Sequence, residues 1–172
     1  MADNYFRPIN GMEKKIIESE EFRKCCEFGV ARKGHAEGKT EEHIRLILEY
    51  IEQNYKEDPD YERLRLLALL HDMGKFEEAD QSHAVLSEQI SKKFIKDRGL
   101  LRIIRIHDFP WAFYRIFKKK KQFDKYKFID IFKEIDWRLL VKFRYCDNCN
   151  RSQEPSIWFE EKCKELLKPL EK

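Results

Sequence analysis

A nearly continuous apolar run, from Leu64 to Leu70, leads directly into two ionisable residues, His71 and Asp72. Such a run predicts a helix that lies in the centre of the protein and is buried. Ionisable groups at the end of a buried helix are costly unless they are hydrogen-bonded, paired or bound to a metal. Adjacent helical residues point about 100° apart, so both side chains can reach one ion only where the helix ends. Gly74 predicts such an end, because glycine readily adopts the left-handed conformation of a helix cap.

The rest of the chain favours helices as well. Only 6 of the 172 residues are glycine and 5 are proline, and the apolar residues recur at intervals of three and four positions. This spacing is typical of amphipathic helices. Helices are expected, among others, over residues 11–28 and 128–146, and Thr40 is expected to cap another. With 42% hydrophobic residues the chain can bury an ordinary core. We therefore predict an all-α protein whose residues 1–172 form a single-domain bundle of about seven helices.

The charge and the cysteines limit the partners and the compartment. The 35 basic and 32 acidic residues give a net charge of +3, which permits a phosphate-bearing substrate but does not itself select a nucleic acid. The run Lys118–Lys121 favours a solvated loop, with an RNA-steering patch as the alternative. No apolar stretch is long enough to span a membrane, and five cysteines, an odd number, do not suggest a disulfide framework. We expect a cytoplasmic protein without a membrane partner, and the pattern assigns no oligomeric state.

Further ionisable residues lie near the ends of other predicted helices. His43, His83 and His107 are three of them. An aspartate late in the chain completes the set: Asp147 follows an apolar run and precedes Arg151, and Asp136 is the alternative. Imidazole and carboxylate ligands together suit one or two divalent transition-metal ions, namely manganese, iron, nickel, cobalt or zinc, with magnesium also acceptable.

These residues form an ordered set within residues 35–151: His43, Leu69-Leu70-His71-Asp72-Met73-Gly74-Lys75, His83, His107 and Asp147. The order resembles the H…HD…H…H…D signature of the HD-domain superfamily. The resemblance implies an HD-type helical bundle. It also implies a metal-dependent phosphohydrolase, which would cleave phosphomonoesters or phosphodiesters.

The resemblance further implies a role for each residue. As in two-metal members of the superfamily, Asp72 would bridge two ions, and a water between them would be the nucleophile. The other metal ligands would be His43, His71 and Asp147 for the first ion, and His83 and His107 for the second. Lys75 would hold a phosphate oxygen, and Asp108 would orient the water or protonate the leaving group, so Asp72, Lys75 and Asp108 are the catalytic candidates. His35, Lys75 and Arg151 are the candidates for substrate binding.

A narrower resemblance concerns the substrate. The segment His35-Ala36-Glu37-Gly38, followed by His43, resembles the HPEG…H segment of HD modules attached to tRNA nucleotidyltransferases and poly(A) polymerases. Ala36 stands where that motif has proline, and nucleotide addition itself is not implied. Such modules, and those of some RNA-end repair enzymes, resemble phosphatases or 2′,3′-cyclic phosphodiesterases. The implied substrate is a nucleotide or another phosphate ester, such as an RNA end.

Two other functions fit the same residues. A few HD-fold proteins use this ligand set, including the lysine after the motif, as di-iron oxygenases. A vestigial site would instead leave a nucleotide- or RNA-binding module. The intact ligand set favours an enzyme over the binding module.

Overall fold

The computed structural model describes residues 6–30, 38–76 and 81–170 of the chain. Over these ranges it contains helices and turns but no strand, which confirms the all-α prediction. The elements are α1 (Gly11–Ile17), α2 (Glu20–Glu27), α3 (Thr40–Asn54), α4 (Tyr61–Leu70), α5 (His83–Ser91), α6 (Arg98–Ile106), α7 (Phe109–Lys120), α8 (Lys125–Phe132), α9 (Trp137–Asp147), α10 (Glu154–Leu166) and a 3-10 turn (Lys168–Leu170). None of these helices is both long and apolar enough to cross a membrane.

The ten α-helices of the described ranges exceed the predicted number of about seven because capping residues divide two predicted helices. Residues 11–28 form α1 and α2, since Ser19 Oγ accepts a hydrogen bond from Phe22 N at 3.2 Å and starts a new helix. Residues 128–146 are divided in the same way, because Asp136 Oδ1 accepts from Leu139 N at 3.0 Å at the start of α9. Short polar side chains therefore set boundaries that the apolar spacing does not show.

Helix α4 forms the centre of the core, as its leucines predict. Leu64, Leu67, Leu69 and Leu70 have no exposed surface. Burial of each such side chain stabilises the fold by about 1.5–3 kcal/mol relative to exposure. The helix packs against α1, α3, α5, α6 and α9. Because α4 is held by five helices, the residues that follow its C-terminal end have fixed positions inside the protein.

A buried ion pair satisfies the one charged residue within the apolar run. Arg65 Nε and Nη2 donate to the two carboxylate oxygens of Glu13 at 2.8 and 2.9 Å, and Ile9 N donates to the same carboxylate at 3.0 Å. Glu13 is 0% exposed and Arg65 is 6% exposed, so each charge depends on the other. The pair therefore fixes α1 against α4.

Gly74 has a different role from the predicted left-handed cap, because its φ is not positive. A β-carbon built on Gly74 would lie 2.4 Å from His83 O and 2.6 Å from Leu86 Cβ. The Gly74 N–H also donates to the buried Ser87 Oγ at 2.8 Å. The prediction of a cap is wrong. Glycine is required here because the backbone closely approaches the first turns of α5.

Thr40 is the first residue of α3, and its side chain does not cap that helix. Its N–H and its hydroxyl both donate to Phe28 O, at 2.9 and 3.2 Å. The hydroxyl is therefore used to tie α3 to the end of α2. This contact fixes the start of α3 within one turn of His43.

Aromatic side chains join the C-terminal helices. Phe113 of α7 lies 5.3 Å from Phe128 of α8, between ring centroids, and Phe128 lies 6.4 Å from Trp158 of α10. Phe132 and Phe159 connect α8 and α10 at 5.1 Å. The inner face of α7 is thus part of the core.

We expect Gly74→Ala to lower the free energy of unfolding by about 1–3 kcal/mol, because the added methyl group must displace α5. Gly11→Ala is a matched control, since a β-carbon on Gly11, the first residue of α1, meets nothing within 4 Å. It should leave the stability unchanged or raise it by up to about 1 kcal/mol. Urea unfolding followed by circular dichroism measures both. Equal midpoints for the two variants would contradict the role assigned to Gly74.

Candidate metal centre

A cavity of about 400 Å³ opens where several helices end. The described residues that line it are Phe28, Val30, Gly38, Thr40, His43, His71, Asp72, Lys75, His83, His107, Asp108, Asp147 and Arg151. All six predicted metal ligands belong to this set, together with Lys75, Asp108 and Arg151. His35, the remaining predicted site residue, lies outside the described residues.

Helix ends bring the candidate ligands together. His71 and Asp72 directly follow α4, His107 directly follows α6, His43 lies in the first turn of α3, His83 is the first residue of α5, and Asp147 is the last residue of α9. Five helices therefore contribute to one cluster. In the sequence, these residues lie near the boundaries of separate predicted helices. In the fold, they lie together at one place.

Four donor atoms form a first group. His43 Nε2 lies 2.9 Å from Asp147 Oδ1, and His71 Nε2 lies 3.6 Å from the same oxygen. Asp72 Oδ2 lies 3.2 Å from His71 Nε2 and 4.0 Å from His43 Nε2. Ligand atoms that are each about 2.1 Å from one ion lie about 3–4 Å from one another. The four atoms therefore have separations that fit one coordination sphere.

The other oxygen of Asp72 faces a second group. Asp72 Oδ1 lies 3.5 Å from His83 Nε2 and 3.8 Å from His107 Nε2. Asp108 joins this group, because its Oδ2 lies 3.2 Å from His83 Nε2 and its Oδ1 lies 3.6 Å from His107 Nε2. Asp72 thus presents one oxygen to each group, as a bridging carboxylate does.

Backbone contacts orient two of the imidazole rings. His71 Nδ1 donates to carbonyls of the last turn of α4 at 3.1 and 3.2 Å, and His107 Nδ1 donates to Ile104 O at 2.7 Å. A carbonyl only accepts, so the proton lies on Nδ1 and the lone pair of the neutral ring lies on Nε2. Nε2 of His71 and of His83 is buried and has no hydrogen-bond partner among the described residues. These nitrogens fit a divalent transition-metal ion, which binds neutral imidazole.

A comparison with protein families gave a match. The family model of the HD domain matches residues 39–136, more than half of the chain. The chain belongs to the HD domain family. HD domains are in general metal-dependent hydrolases that bind divalent ions. Neither the curated proteins nor the solved structures gave a match.

Two buried carboxylates dominate the electrostatics of this HD domain. Asp72 and Asp147 are 1% and 6% exposed. Burial by itself raises the pKa of Asp72, but His71 and Lys75 outweigh it and hold that pKa well below its usual range. Burial also raises the pKa of Asp147, and Arg144 and the nearby imidazoles together lower it by more. Both groups are therefore anionic at neutral pH, the form that binds metal ions.

Two of the three buried histidines in the described ranges, His71 and His107, respond differently to their surroundings. Burial is the main effect on His107 and lowers its pKa, which favours the neutral, coordinating form. Burial is also the largest single effect on His71 and lowers its pKa, but Asp72 and Asp147 together outweigh it and the pKa is raised. A proton on His71 and a metal ion beside Asp72 therefore compete for the same place.

Arg144 supports the site, although the sequence did not single it out. It donates to Asp147 Oδ2, and at 3.3 Å to His107 O. Arg144 precedes Asp147 by three residues, so the two share one face of α9. That spacing is a signal by which the sequence could have revealed the contact. The arginine occupies Oδ2 and leaves Oδ1 directed at the first group.

Asp136, the alternative to Asp147, lies outside the cavity. Its Oδ1 accepts from Leu139 N at 3.0 Å as a helix cap, and its Oδ2 accepts from Arg63 at 2.9 Å. Both oxygens are therefore used away from the histidines. The matched segment of the HD domain ends at residue 136. The geometry, and not the family match, thus favours Asp147.

Two apolar residues at the cavity were also missed. Phe28 and Val30 follow α2 and line the cavity, although they are 44% and 76% exposed. An isolated phenylalanine or valine carries no chemical signal in a sequence. Only the contact between the end of α2 and the start of α3 brings them to the cavity of the HD domain.

We expect Asp147→Asn to lower the number of Mn²⁺ ions bound per chain from two to about one, because an amide then replaces a charged ligand of the first group alone. Asp136→Asn is the matched control, since asparagine also caps a helix and Asp136 lies outside the cavity. Equilibrium dialysis followed by elemental analysis measures the bound ions. An equal loss in the two variants, or no loss in either, would show that Asp147 is not a ligand.

Proposed function

We propose that the protein is a metal-dependent phosphohydrolase that acts on a nucleotide or on the end of an oligonucleotide such as RNA. The observation that carries the proposal is the placement of Asp72, whose two oxygens face separate groups of imidazole and carboxylate donors. Two adjacent divalent ions are a common arrangement in phosphatases and nucleases. Membership of the HD domain family adds to this argument.

Each group would hold one ion. The first would use His43, His71, Asp72 and Asp147, and the second would use Asp72, His83, His107 and Asp108. When bound, ions of this class lower the pKa of coordinated water towards neutrality and offset the charge of a phosphoryl group. The mixture of imidazole and carboxylate favours manganese, iron, nickel, cobalt or zinc.

Lys75 supplies a positive charge beside the cavity. Its Nζ donates to Asp72 Oδ2 at 2.5 Å, and its side chain is 24% exposed, so its other N–H bonds can reach a ligand. Burial is the largest single effect on Lys75 and lowers its pKa, but Asp72, Asp147 and Asp108 together outweigh it and raise the pKa, so the ammonium stays charged at neutral pH. We assign Lys75 to a non-bridging phosphate oxygen. Arg151 also lines the cavity, and a guanidinium can hold two phosphate oxygens at once.

Asp108 fits the role of a ligand or of a group that orients the attacking water. Its two oxygens face His83 and His107, at 3.2 and 3.6 Å. A group that protonates a leaving group must itself carry a proton, and a carboxylate between two imidazoles is better suited to accept than to donate. We therefore prefer the role of a metal ligand, or of a group that orients the water, to the role of a general acid.

The cavity supports a small phosphate ester as the part of the substrate that is bound there. Its volume of about 400 Å³ is near the lower end of the range for small-molecule sites. The exposed side chains of Phe28 and Val30 offer apolar surface on which a base or a sugar can pack. A nucleotide has both parts, a phosphate for the cationic groups and an apolar face for these side chains.

Hydrolysis by the purified protein, with Mn²⁺, Ni²⁺ or Co²⁺ added, tests the proposal. Phosphate release measures the cleavage of nucleoside phosphates, and chromatography of the phosphomonoester product measures the opening of cyclic nucleotides and of RNA 2′,3′-cyclic ends. We expect Asp72→Asn to lower kcat/KM by about 10³-fold or more, because it alters both groups. Lys75→Gln removes a charge but no ligand and should lower kcat/KM about 10²-fold. Lys92→Gln is the matched control, since Lys92 is exposed and outside the cavity, and it should have no effect.

Other outcomes would favour the rival functions. Hydrolysis that survives Asp72→Asn would overturn the assignment of the site. Iron-dependent consumption of oxygen without hydrolysis of any phosphate ester would indicate a di-iron oxygenase, which metal analysis and an absorption spectrum would identify. Nucleotide binding without turnover, whichever metal is added, would indicate a binding module with a vestigial site.

A further inference from the structure

The exposed face of α7 continues outward from the cavity. Helix α7 begins at Phe109, directly after the cavity residue Asp108. The residues four, seven and eleven positions after Asp108 lie on one helical face, and they are Ala112, Arg115 and Lys119. At 1.5 Å per residue, Arg115 lies about 10 Å and Lys119 about 16 Å from Asp108 along the helix axis. A line of positive charge therefore leads away from the cavity.

Some of the positive charge on α7 stabilises the helix itself, but not all of it. Lysines in the last turn, Lys118–Lys120, complement the negative end of the helix dipole. Lys118 also pairs with Glu154. Arg115 lies before the last turn, and the ion pairs of the described residues include neither Arg115 nor Lys119. These two cations are available to an external anion.

Trp111 adds an exposed aromatic ring to the same face. It is 42% exposed, and Arg115 follows it by four residues. Its ring stacks on Tyr114, with centroids 5.6 Å apart and an angle of 21° between the planes. The ring is thereby held in one orientation while much of its surface meets solvent. A groove of about 750 Å³ runs along this part of α7 from Trp111 to Lys120.

We propose that this face of α7, defined by Trp111, Ala112, Arg115 and Lys119, binds a single-stranded oligonucleotide whose end lies in the cavity. Arg115 and Lys119 would contact phosphates of the strand, and Trp111 would stack on a base. Cations beside an exposed aromatic ring are the combination that single-stranded nucleic acids require. The inference rests on the proposed function and deepens it, because the substrate is then a strand and not a free nucleotide.

An anionic membrane is the rival partner for a basic helix. Binding to a membrane needs a broad apolar face that can enter the lipid. The apolar face of α7 is already buried, since Phe113 and Tyr114 are each 6% exposed and contact Phe128 and Trp158. The surface that remains also exposes Phe109 and Ile116, at 41% and 45%, but Arg115 and Lys119 separate them from Trp111 around the helix. Because cations divide these apolar side chains, the surface fits a polyanion that carries bases better than a lipid layer.

Fluorescence anisotropy with a labelled oligouridylate of about 12 nucleotides measures this binding independently of turnover. We expect Arg115→Glu/Lys119→Glu to weaken binding at least about tenfold and to lower the slope of log affinity against log salt by about 1.4. Trp111→Ala should weaken binding about tenfold, and Trp111→Phe should retain most of it. Lys96→Glu/Arg102→Glu is the matched control, because it changes the net charge equally at exposed positions outside α7.

Unfolding midpoints of all variants would establish that they are folded. Equal weakening by the control pair would show general charge attraction and overturn the proposal, as would unchanged binding by Arg115→Glu/Lys119→Glu. The proposal would also be overturned if the protein sedimented with phosphatidylserine vesicles and did not bind the oligonucleotide. A protein that hydrolyses nucleotides but does not bind the oligonucleotide contradicts only this inference. A protein that binds the strand through α7 but hydrolyses none of the phosphate esters contradicts only the proposed hydrolysis.

Discussion

The burial of the Asp72 carboxylate is the constraint on which the site depends. A carboxylate with 1% exposure, at the end of the central helix α4, is unfavourable unless positive charge surrounds it. Lys75 supplies part of that charge. The imidazoles of His71 and His107 donate through Nδ1 to backbone carbonyls, so their Nε2 lone pairs face the Asp72 oxygens at 3.2 and 3.8 Å. Lone pairs and a carboxylate repel each other unless a cation lies between them or a ring is protonated. The arrangement therefore requires a cation at this point, either a proton on His71 or a metal ion, independently of any family resemblance.

The fold holds these groups in place mainly through its backbone. Carbonyls of α4 and α6 set the ring orientations of two histidines. The close approach of α5 to Gly74 brings His83 to the cavity, and the hydrogen bond from Gly74 N to Ser87 Oγ fixes the distance between the two segments. On α9, Arg144 fixes one oxygen of Asp147. Ligands supported in this way need little rearrangement when an ion binds, which is the usual basis of a preorganised site.

The sequence allowed the candidate ligands to be selected, because each lies near a helix boundary and because their order is distinctive, and the fold brings them to one cavity. It could not reveal which long-range contact each polar residue makes. Gly74 looks the same in a sequence whether it adopts a positive φ or allows close packing. Thr40 is a good cap by type, but its hydroxyl is used by Phe28 O, twelve residues earlier. Asp136 and Asp147 both adjoin the apolar helix α9, and only the fold shows that one is a cap on the surface while the other faces the histidines.

The two candidate ligand groups differ in their access to solvent. This difference indicates the side from which a substrate would enter the site. The side chains of the first group are at most 9% exposed, with Asp147 the most accessible. In the second group, His83 is 30% and Asp108 is 49% exposed at the side chain. A substrate that enters from solvent therefore meets the second group first, and the first group lies behind it. Asp108 is also the residue from which α7 departs. The accessible side of the cavity and the basic face of α7 are consequently continuous, so a strand bound along α7 would direct its end to the second group.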